Sequence, residues 1–275
     1  MLTAVLARLL HASRLVDWCF RRFEGVRREL VLALASDRLL ASYNDLTYAR
    51  SESYHPGSAV YRDALHPWEE AALAGHFPEP PARVLIGAAG GGREAAALVK
   101  RGFAVVAFEP SPLVKLMAAS RRPGAPLEIY EARYDQLPRV RALDGREIDL
   151  RDGGPFDAGI LGWASFSHLP SDAERVETLR AFTALVDGPV LMSYFGWIRP
   201  DIPPTPTGLR RFLLRRVGER RPGSLFSIDV GLYRQLTESE VRAMASAAGA
   251  EVLAVDQKSD WPNAIVRRRR AAMVG

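Results

Sequence analysis

The sequence predicts an α/β fold in which a mostly parallel sheet is covered by helices on both faces. A helical cap precedes it and an insertion follows the fifth strand. Three observations carry that reading. Between residues 82 and 195, short and nearly continuous apolar runs alternate with helical segments, the pattern of strands buried on both faces. A proline cluster, Phe77-Pro78-Glu79-Pro80-Pro81, separates this alternation from a helical stretch before it, because successive prolines remove donors and disfavour helix. A second proline-rich segment, Pro200-Asp201-Ile202-Pro203-Pro204-Thr205-Pro206, breaks the rhythm over residues 196–230 before it resumes. The chain therefore divides into a cap or lid over 1–81 and an α/β domain over 82–275.

In the cap, Leu2, Val5, Leu6 and Leu9 recur at helical spacing, as do Leu15, Cys19, Phe23 and Val26. In the α/β domain, Arg83-Val84-Leu85-Ile86 reads as the first strand and Glu94 to Arg101 as its helix. Ala104 to Phe108 and Ser111 to Ser120 form the second pair. Leu127 to Tyr130 is a third strand. Phe156 to Leu161 is a fourth, with a long helix from Asp172 to Leu185, and Val190 to Tyr194 is a fifth. A basic helix over Gly208 to Arg216 lies inside the insertion. Its apolar residues Phe212, Leu213 and Leu214 need a surface to cover, either beside the cleft or on a second subunit of a homodimer. Thr237 and Glu240 stand three apart as a capping box for a helix ending near Gly249. Two last strands, Glu251 to Val255 and Asn263 to Arg267, are joined by a short turn at Trp261-Pro262.

Apolar residues make up 48% and charged residues 25% of the 275, ordinary for a globule and unlike a disordered or collagenous chain. The single cysteine, Cys19, excludes an intramolecular disulfide and a zinc cluster of several thiolates. No run reaches 18 apolar residues, so no membrane helix is expected. Met1 to Leu10 carries Arg8 and no clear small-residue cleavage site. It reads as helix rather than signal peptide, which makes a cytoplasmic protein the expectation. Net charge is +5, yet only Lys100, Lys115 and Lys258 among the 37 basic residues are lysines, and the arginines are spread along the chain. The tight run Arg267 to Arg270 reads as a solvated chain end rather than a nucleic-acid patch.

The sharpest local feature is Val84-Leu85-Ile86-Gly87-Ala88-Ala89-Gly90-Gly91-Gly92-Arg93-Glu94, a strand running through a glycine-rich turn into a helix. Small residues there let a ligand approach the backbone, and the helix start offers free amides. Glu109 ends the second strand, where a carboxylate can accept hydrogen bonds from both ribose hydroxyls of an adenosine. Two adenosine cofactors compete. Gly87-x-Ala89-x-x-Gly92 and Gly90-x-Gly92-x-x-Ala95 both fit the dinucleotide fingerprint, which leaves an NAD(P)-dependent oxidoreductase as the alternative.

The wider sequence resembles the class I S-adenosylmethionine-dependent methyltransferases from about Arg83 to Ser193, with weaker support from Thr237 to Val266. The resemblance rests on the glycine turn, on Phe108-Glu109-Pro110-Ser111-Pro112 after the second strand, and on Leu137-Pro138 after the third. It rests also on Phe156-Asp157 opening the fourth, and on Leu236-Thr237-Glu238-Ser239-Glu240 with Ala248-Gly249-Ala250-Glu251-Val252. It implies a Rossmann-like methyltransferase sheet of seven strands, one antiparallel, and S-adenosylmethionine as cofactor. By position it also implies that Gly90 and Gly92 lie against the methionine part, with Gly87 and Ala88 also among the cofactor contacts, Glu109 on the ribose, Pro110 and Ser111 beside the adenine, and Asp135 on the adenine amino group. Gly162 and Trp163 would line the transfer site. The family often has an acid where Ile86 stands and a glycine where Ala88 stands, and Arg133 occupies the usual place of the adenine-contacting acid.

Methyl transfer needs in-line geometry and, for a hydroxyl acceptor, a base. His168, in the segment after the fourth strand, is the candidate base, with Trp163 and Phe166 as walls of the site. The cap supplies Tyr43, Asn44, Asp45, Tyr48, Tyr54, His55, Tyr61 and Trp68. Of these Tyr54 and Tyr61 rank first because they flank the His55-Pro56-Gly57 turn, and Tyr194 ends the fifth strand near the cleft. His55 and His66 lack the spacing of metal ligands, so no metal is expected. The expected function is methyl transfer to an oxygen or nitrogen of a small organic molecule. The non-enzyme alternative is a methyltransferase-like binding protein. No acid-Pro-Pro-aromatic signature of a nucleic-acid methyltransferase follows the fourth strand.

Overall fold

The structure is a computed structural model that describes residues 19, 23–62, 65–196, 209–220 and 223–269. The helical reading of Leu2 to Leu9, the proline loop 200–206 and Arg270 lie outside them. The described part of the cap is helical: α1 (residues 23–34), α2 (Asp37–Arg50), α3 (Ala59–Arg62) and α4 (Pro67–His76). Ser36 caps α2 by accepting from the Leu39 amide. Pro67 opens α4, where its missing N–H is no loss, and the Glu69 side chain accepts from the His66 amide.

The alternation then runs β1 (Arg83–Gly87), α5 (Arg93–Lys100), β2 (Ala104–Phe108), α6 (Leu113–Ser120), β3 (Leu127–Glu131), β4 (Arg139–Ala142), β5 (Glu147–Asp149), β6 (Ala158–Leu161), α7 (Asp172–Leu185) and β7 (Val190–Ser193). The chain continues through β8 (Phe195–Gly196), α8 (Leu209–Arg220), β9 (Ser224–Ser227), β10 (Gly231–Leu236), α9 (Glu238–Ala247), β11 (Ala250–Asp256) and β12 (Asn263–Arg268). The Thr237–Glu240 capping box forms at α9 as expected. The fourth strand starts two residues later than the sequence suggests. Phe156 makes only an isolated bridge to Val186.

The main sheet has the order β11-β12-β7-β6-β1-β2-β3-β4-β5. From β11 to β3 it is the anticipated seven strands with one, β12, antiparallel to its neighbours. The expected count is corrected by β4 and β5, an antiparallel hairpin beyond β3 that makes nine. Their sequences, Arg-Val-Arg-Ala and Glu-Ile-Asp, are short and charged, as edge strands are, and so carry little apolar signal. Alternate residues of β1 face opposite layers, Leu85 one core and Val84 and Ile86 the other, as a pleated strand requires.

The described residues from Phe195 to Leu236 include a second sheet, β8-β10-β9. Leu213 and Val217 of α8, Phe226 of β9 and Leu232 of β10 form a separate apolar cluster with Leu32 of α1 and Leu40 of α2. Of the apolar residues expected to need cover, Leu213 packs on the cap while Phe212 is exposed. Cap residues between Asp37 and Tyr61 line a cavity together with the glycine turn and the segments after β2, β3 and β6.

Candidate active site

The glycine turn joins β1 to α5 with three residues in the left-handed region: Ala88 at φ 52°, Gly90 at 55° and Gly92 at 87°. Only Ala88 bears the strain of a side chain there. The glycines of the turn, and Gly162 after β6, are crowded to different degrees. A Cβ on Gly87 would strike Tyr134 and Phe108, one on Gly92 would strike Met117, and one on Gly162 would stand 2.3 Å from the Ala88 carbonyl oxygen. These three glycines permit close packing behind the turn. Gly90 and Gly91 face the cavity, of about 880 Å³.

Ala88, Gly90, Glu109, Pro110, Ser111, Asp135 and Trp163 all line this cavity, as do Tyr54, Tyr61 and His168. Gly87, Gly92 and Gly162 are absent from its wall. Phe166 and Tyr194 are fully buried in the sheet core, so neither is a wall of the site. His55 turns away, with Nε2 on the Ala49 carbonyl. Tyr43 packs on Phe226 and donates to the Ile228 carbonyl.

Glu109 is buried at the end of β2. One carboxylate oxygen accepts from the Gly90 amide at 2.8 Å and the other from the Ser111 amide at 2.9 Å. Burial pushes its pKa up, and the bonds from Ser111 and Gly90 pull it back. Each oxygen keeps a further lone pair for a ligand hydroxyl. Across the mouth, Asp45 of α2 pairs with Arg133 after β3, so the unexpected arginine ties the lid to the sheet. Burial raises the Asp45 carboxyl and Arg133 opposes the rise.

His168 ends a 3-10 turn, Ser165–His168, that is fastened from behind. The buried Arg175 of α7 donates to the Phe166, Ser167 and Leu169 carbonyls, with Asp172 as its counter-ion at 2.9 Å. His168 Nδ1 stands 2.7 Å from the Leu232 carbonyl oxygen. That oxygen can only accept, and it is nearer than the Asn44 amide nitrogen at 3.3 Å, so Nδ1 carries the proton and Nε2 is the bare nitrogen. Nε2 meets the Tyr48 hydroxyl. Burial pulls His168 down to about 4, partly countered by the bond to Leu232. Asn44, one turn before Tyr48, holds β10 at both polar groups of Leu232, accepting from its amide at 2.8 Å and donating to its carbonyl at 2.9 Å.

Aromatic rings seal this corner. Tyr48 packs edge-on against Tyr54 and His168, Tyr54 reaches Trp163, and Trp163 meets His66 and Trp261. Sequence reasoning missed the polar group beneath them. Arg93 and Glu94 line the cavity, and the buried Arg93 guanidinium takes both oxygens of Glu69 at 2.6 Å and one of Glu94 at 2.8 Å. Burial pushes Glu94 up and Arg93 pulls it back. The signal for Glu69 was local, an acid three residues after a cap, and said nothing of Arg93. Among the described residues no group of three His, Cys, Asp or Glu is placed to hold a metal, and no helix is long and apolar enough to cross a membrane.

No protein-family model and no curated protein matches the chain. Solved structures do. A Burkholderia thailandensis 1,6-didemethyltoxoflavin-N1-methyltransferase, with 1,6-didemethyltoxoflavin and S-adenosylhomocysteine bound, is 23% identical with a TM-score of 0.55, over 86% of this chain and 92% of that one. An amino pentose methyltransferase from Micromonospora echinaspora, with S-adenosylmethionine bound, is 19% identical with a TM-score of 0.51, over 83% and 95%. A Clostridium acetobutylicum S-adenosylmethionine-dependent methyltransferase is 10% identical with a TM-score of 0.53, over 85% and 98%. The chain has the class I S-adenosylmethionine-dependent methyltransferase fold.

Proposed function

We propose that this protein transfers a methyl group from S-adenosylmethionine to an oxygen or nitrogen of a small organic molecule. One observation carries the reading. Glu109, a buried carboxylate with acceptor capacity to spare, stands beside the bare backbone of Gly90 on the wall of a cavity large enough for a cofactor and a small acceptor together. The residues fit an adenosyl group. A Cβ at Gly90 would make only ordinary contacts, with Tyr54 Cδ1 at 3.6 Å and Leu113 Cδ1 at 4.0 Å, so the bare backbone of the turn, which lines the cavity, offers a cradle. In this reading Glu109 holds the ribose, Pro110 and Ser111 border the adenine, and Asp135 on the cavity rim takes the adenine amino group. Ala88 and Gly90 face the methionine end, with Trp163 beside the transfer site.

The sulfonium supplies an electrophilic methyl group when bound. The chain's residues orient and shield. Tyr54 and Tyr61 roof the acceptor, the aromatic belt excludes water, and His168 is the neutral base of the site. The nicotinamide alternative is disfavoured by the antiparallel β12 inserted between β7 and β11, an order that the three methyltransferase structures support through their likeness to this fold.

The test is calorimetric titration with S-adenosylhomocysteine and, separately, NAD. Binding of the first and not of the second is expected, with a rise in melting temperature by linkage. Binding of NAD alone would favour the oxidoreductase, and binding of neither a non-catalytic protein.

A further inference from the structure

The cap, the insertion and the turn after β6 meet at one point: Asn44 and Tyr48 from α2, Leu232 from β10, and His168. Two groups meet His168 Nδ1, the Leu232 carbonyl oxygen at 2.7 Å and the Asn44 amide nitrogen at 3.3 Å, and the shorter contact sets the direction. The Leu232 carbonyl accepts from His168 Nδ1, which leaves Nε2 as an acceptor. Among the described residues the group at Nε2 is the Tyr48 hydroxyl, so Tyr48 is the donor in that bond. Its oxygen keeps acceptor capacity, and Tyr48 lines the cavity. Asn44 fixes Leu232 from both sides, and a Cβ on Gly231 would stand 2.0 Å from Asn44 Oδ1, so the backbone at β10 is shaped around this side chain.

The geometry points to a proton relay for a hydroxyl acceptor, in which Tyr48 touches the acceptor and His168 acts through it. This rests on the methyl-transfer reading and names its substrate class, an alcohol or phenol rather than an amine. The acceptor oxygen forms its bond to the methyl carbon as the methyl–sulfur bond breaks. The acceptor proton passes to the Tyr48 oxygen, while the Tyr48 proton passes to His168 Nε2. The products are an ether, a neutral thioether and an imidazolium. The single positive charge moves from sulfur to His168, and the proton leaves to water when the site opens.

A latch holding the lid shut would need only a hydrogen bond of either polarity. The observed arrangement does more, because the Leu232 carbonyl fixes the ring as the tautomer whose basic nitrogen meets the Tyr48 hydroxyl on the cavity wall. The charged groups around the ring agree with a neutral resting state. Burial and Arg175 of α7 both disfavour the imidazolium, and the Tyr48 hydroxyl on α2 is itself held protonated by burial and by Tyr54. Asn44 and Leu232 are positioning residues, since they hold the ring and its β10 partner in place.

The experiment has a spectroscopic arm and a kinetic arm. In full-length protein labelled with ¹⁵N-histidine and saturated with S-adenosylhomocysteine, His168 is identified among the five histidines by its loss in His168→Gln. The relay predicts a ring protonated at Nδ1, bare at Nε2 and neutral from pH 8 to 5, with only the Nε2 resonance moving in Tyr48→Phe. A ring protonated at Nε2, or one that titrates near its ordinary pKa, overturns the relay. In the second arm, S-adenosylhomocysteine formation is followed with matched acceptors, phenol and catechol against aniline and 1,2-diaminobenzene. Turnover confined to the hydroxyl members, and a kcat lowered about 10²- to 10⁴-fold in Tyr48→Phe with little change in KM, supports the proposal. Turnover of the amines, or an unaffected Tyr48→Phe, overturns it. If none of the four is turned over, the tautomer decides alone. Failure of wild-type protein to bind S-adenosylhomocysteine would count against methyl transfer itself, whereas binding with the wrong tautomer would remove only the relay.

Discussion

Gly91→Ala tests whether the lid must seat on the glycine turn. An ideal Cβ at Gly91 would lie 2.0 Å from the Tyr54 carbonyl oxygen and 3.2 Å from Pro56 Cδ. Ordinary contact begins near 3.4 Å, so lid and turn must part by 1.4 Å, the difference between 3.4 and 2.0. The obstacle is backbone and cannot rotate aside. Gly91 does not lie in the left-handed region, so alanine adds crowding without conformational strain. Overpacking of this kind costs about 1–3 kcal/mol, equivalent to about 5- to 150-fold in a binding constant. Calorimetry should show S-adenosylhomocysteine affinity reduced within that range. The unliganded protein should lose only a few degrees of melting temperature, because both sheet cores lie outside the contact. Gly75→Ala is the control. Gly75 is in α4 with nothing within 4 Å of a Cβ, so alanine should stabilise the helix by about 0.5–1 kcal/mol and leave affinity unchanged. A Gly91→Ala protein with wild-type affinity and melting temperature would refute the seating of the lid.

Three further outcomes are expected. Glu109→Ala should weaken S-adenosylhomocysteine binding by about 1.5–3 kcal/mol through loss of hydrogen bonds to a charged acceptor, and calorimetric affinity equal to wild type would remove Glu109 from the site. His168 has a folded pKa of about 4, below its ordinary 6.5, so between these values the unfolded chain binds more protons and stability falls as pH drops from about 6.5 to about 4. That loss is at most about 3 kcal/mol because the ring still meets the cavity. His168→Gln should flatten this limb of the melting-temperature profile, and an unchanged slope would count against it. Glu69→Ala removes the bidentate partner of the buried Arg93 and should destabilise by about 3–5 kcal/mol in urea unfolding, while a loss under 1 kcal/mol would mean that Glu94 alone suffices.

Much of the fold was legible because its signals are local. The apolar runs of β1, β2, β6 and β7 declare buried strands, the Thr237–Glu240 box declares the start of α9, and the prolines around 80 mark the joint between cap and sheet. Glu109 and the glycine turn were legible as neighbours for the same reason, since a strand end and a helix start suffice to place them. His168 was placed by its position after a strand. What the sequence could not settle depends on residues far apart in the chain. Tyr48 and His168 are 120 positions apart and Asn44 and Leu232 are 188, and their pairing follows from the cap and insertion burying Leu40 against Leu213 and Leu232. The tautomer of His168 follows from a single backbone carbonyl in β10, and backbone groups leave no mark on residue type. The sequence likewise cannot separate glycines that face a ligand from those that admit a neighbour. Gly90 and Gly92 look alike in the chain, and only the packing of Met117 against one and the open cavity before the other tells them apart.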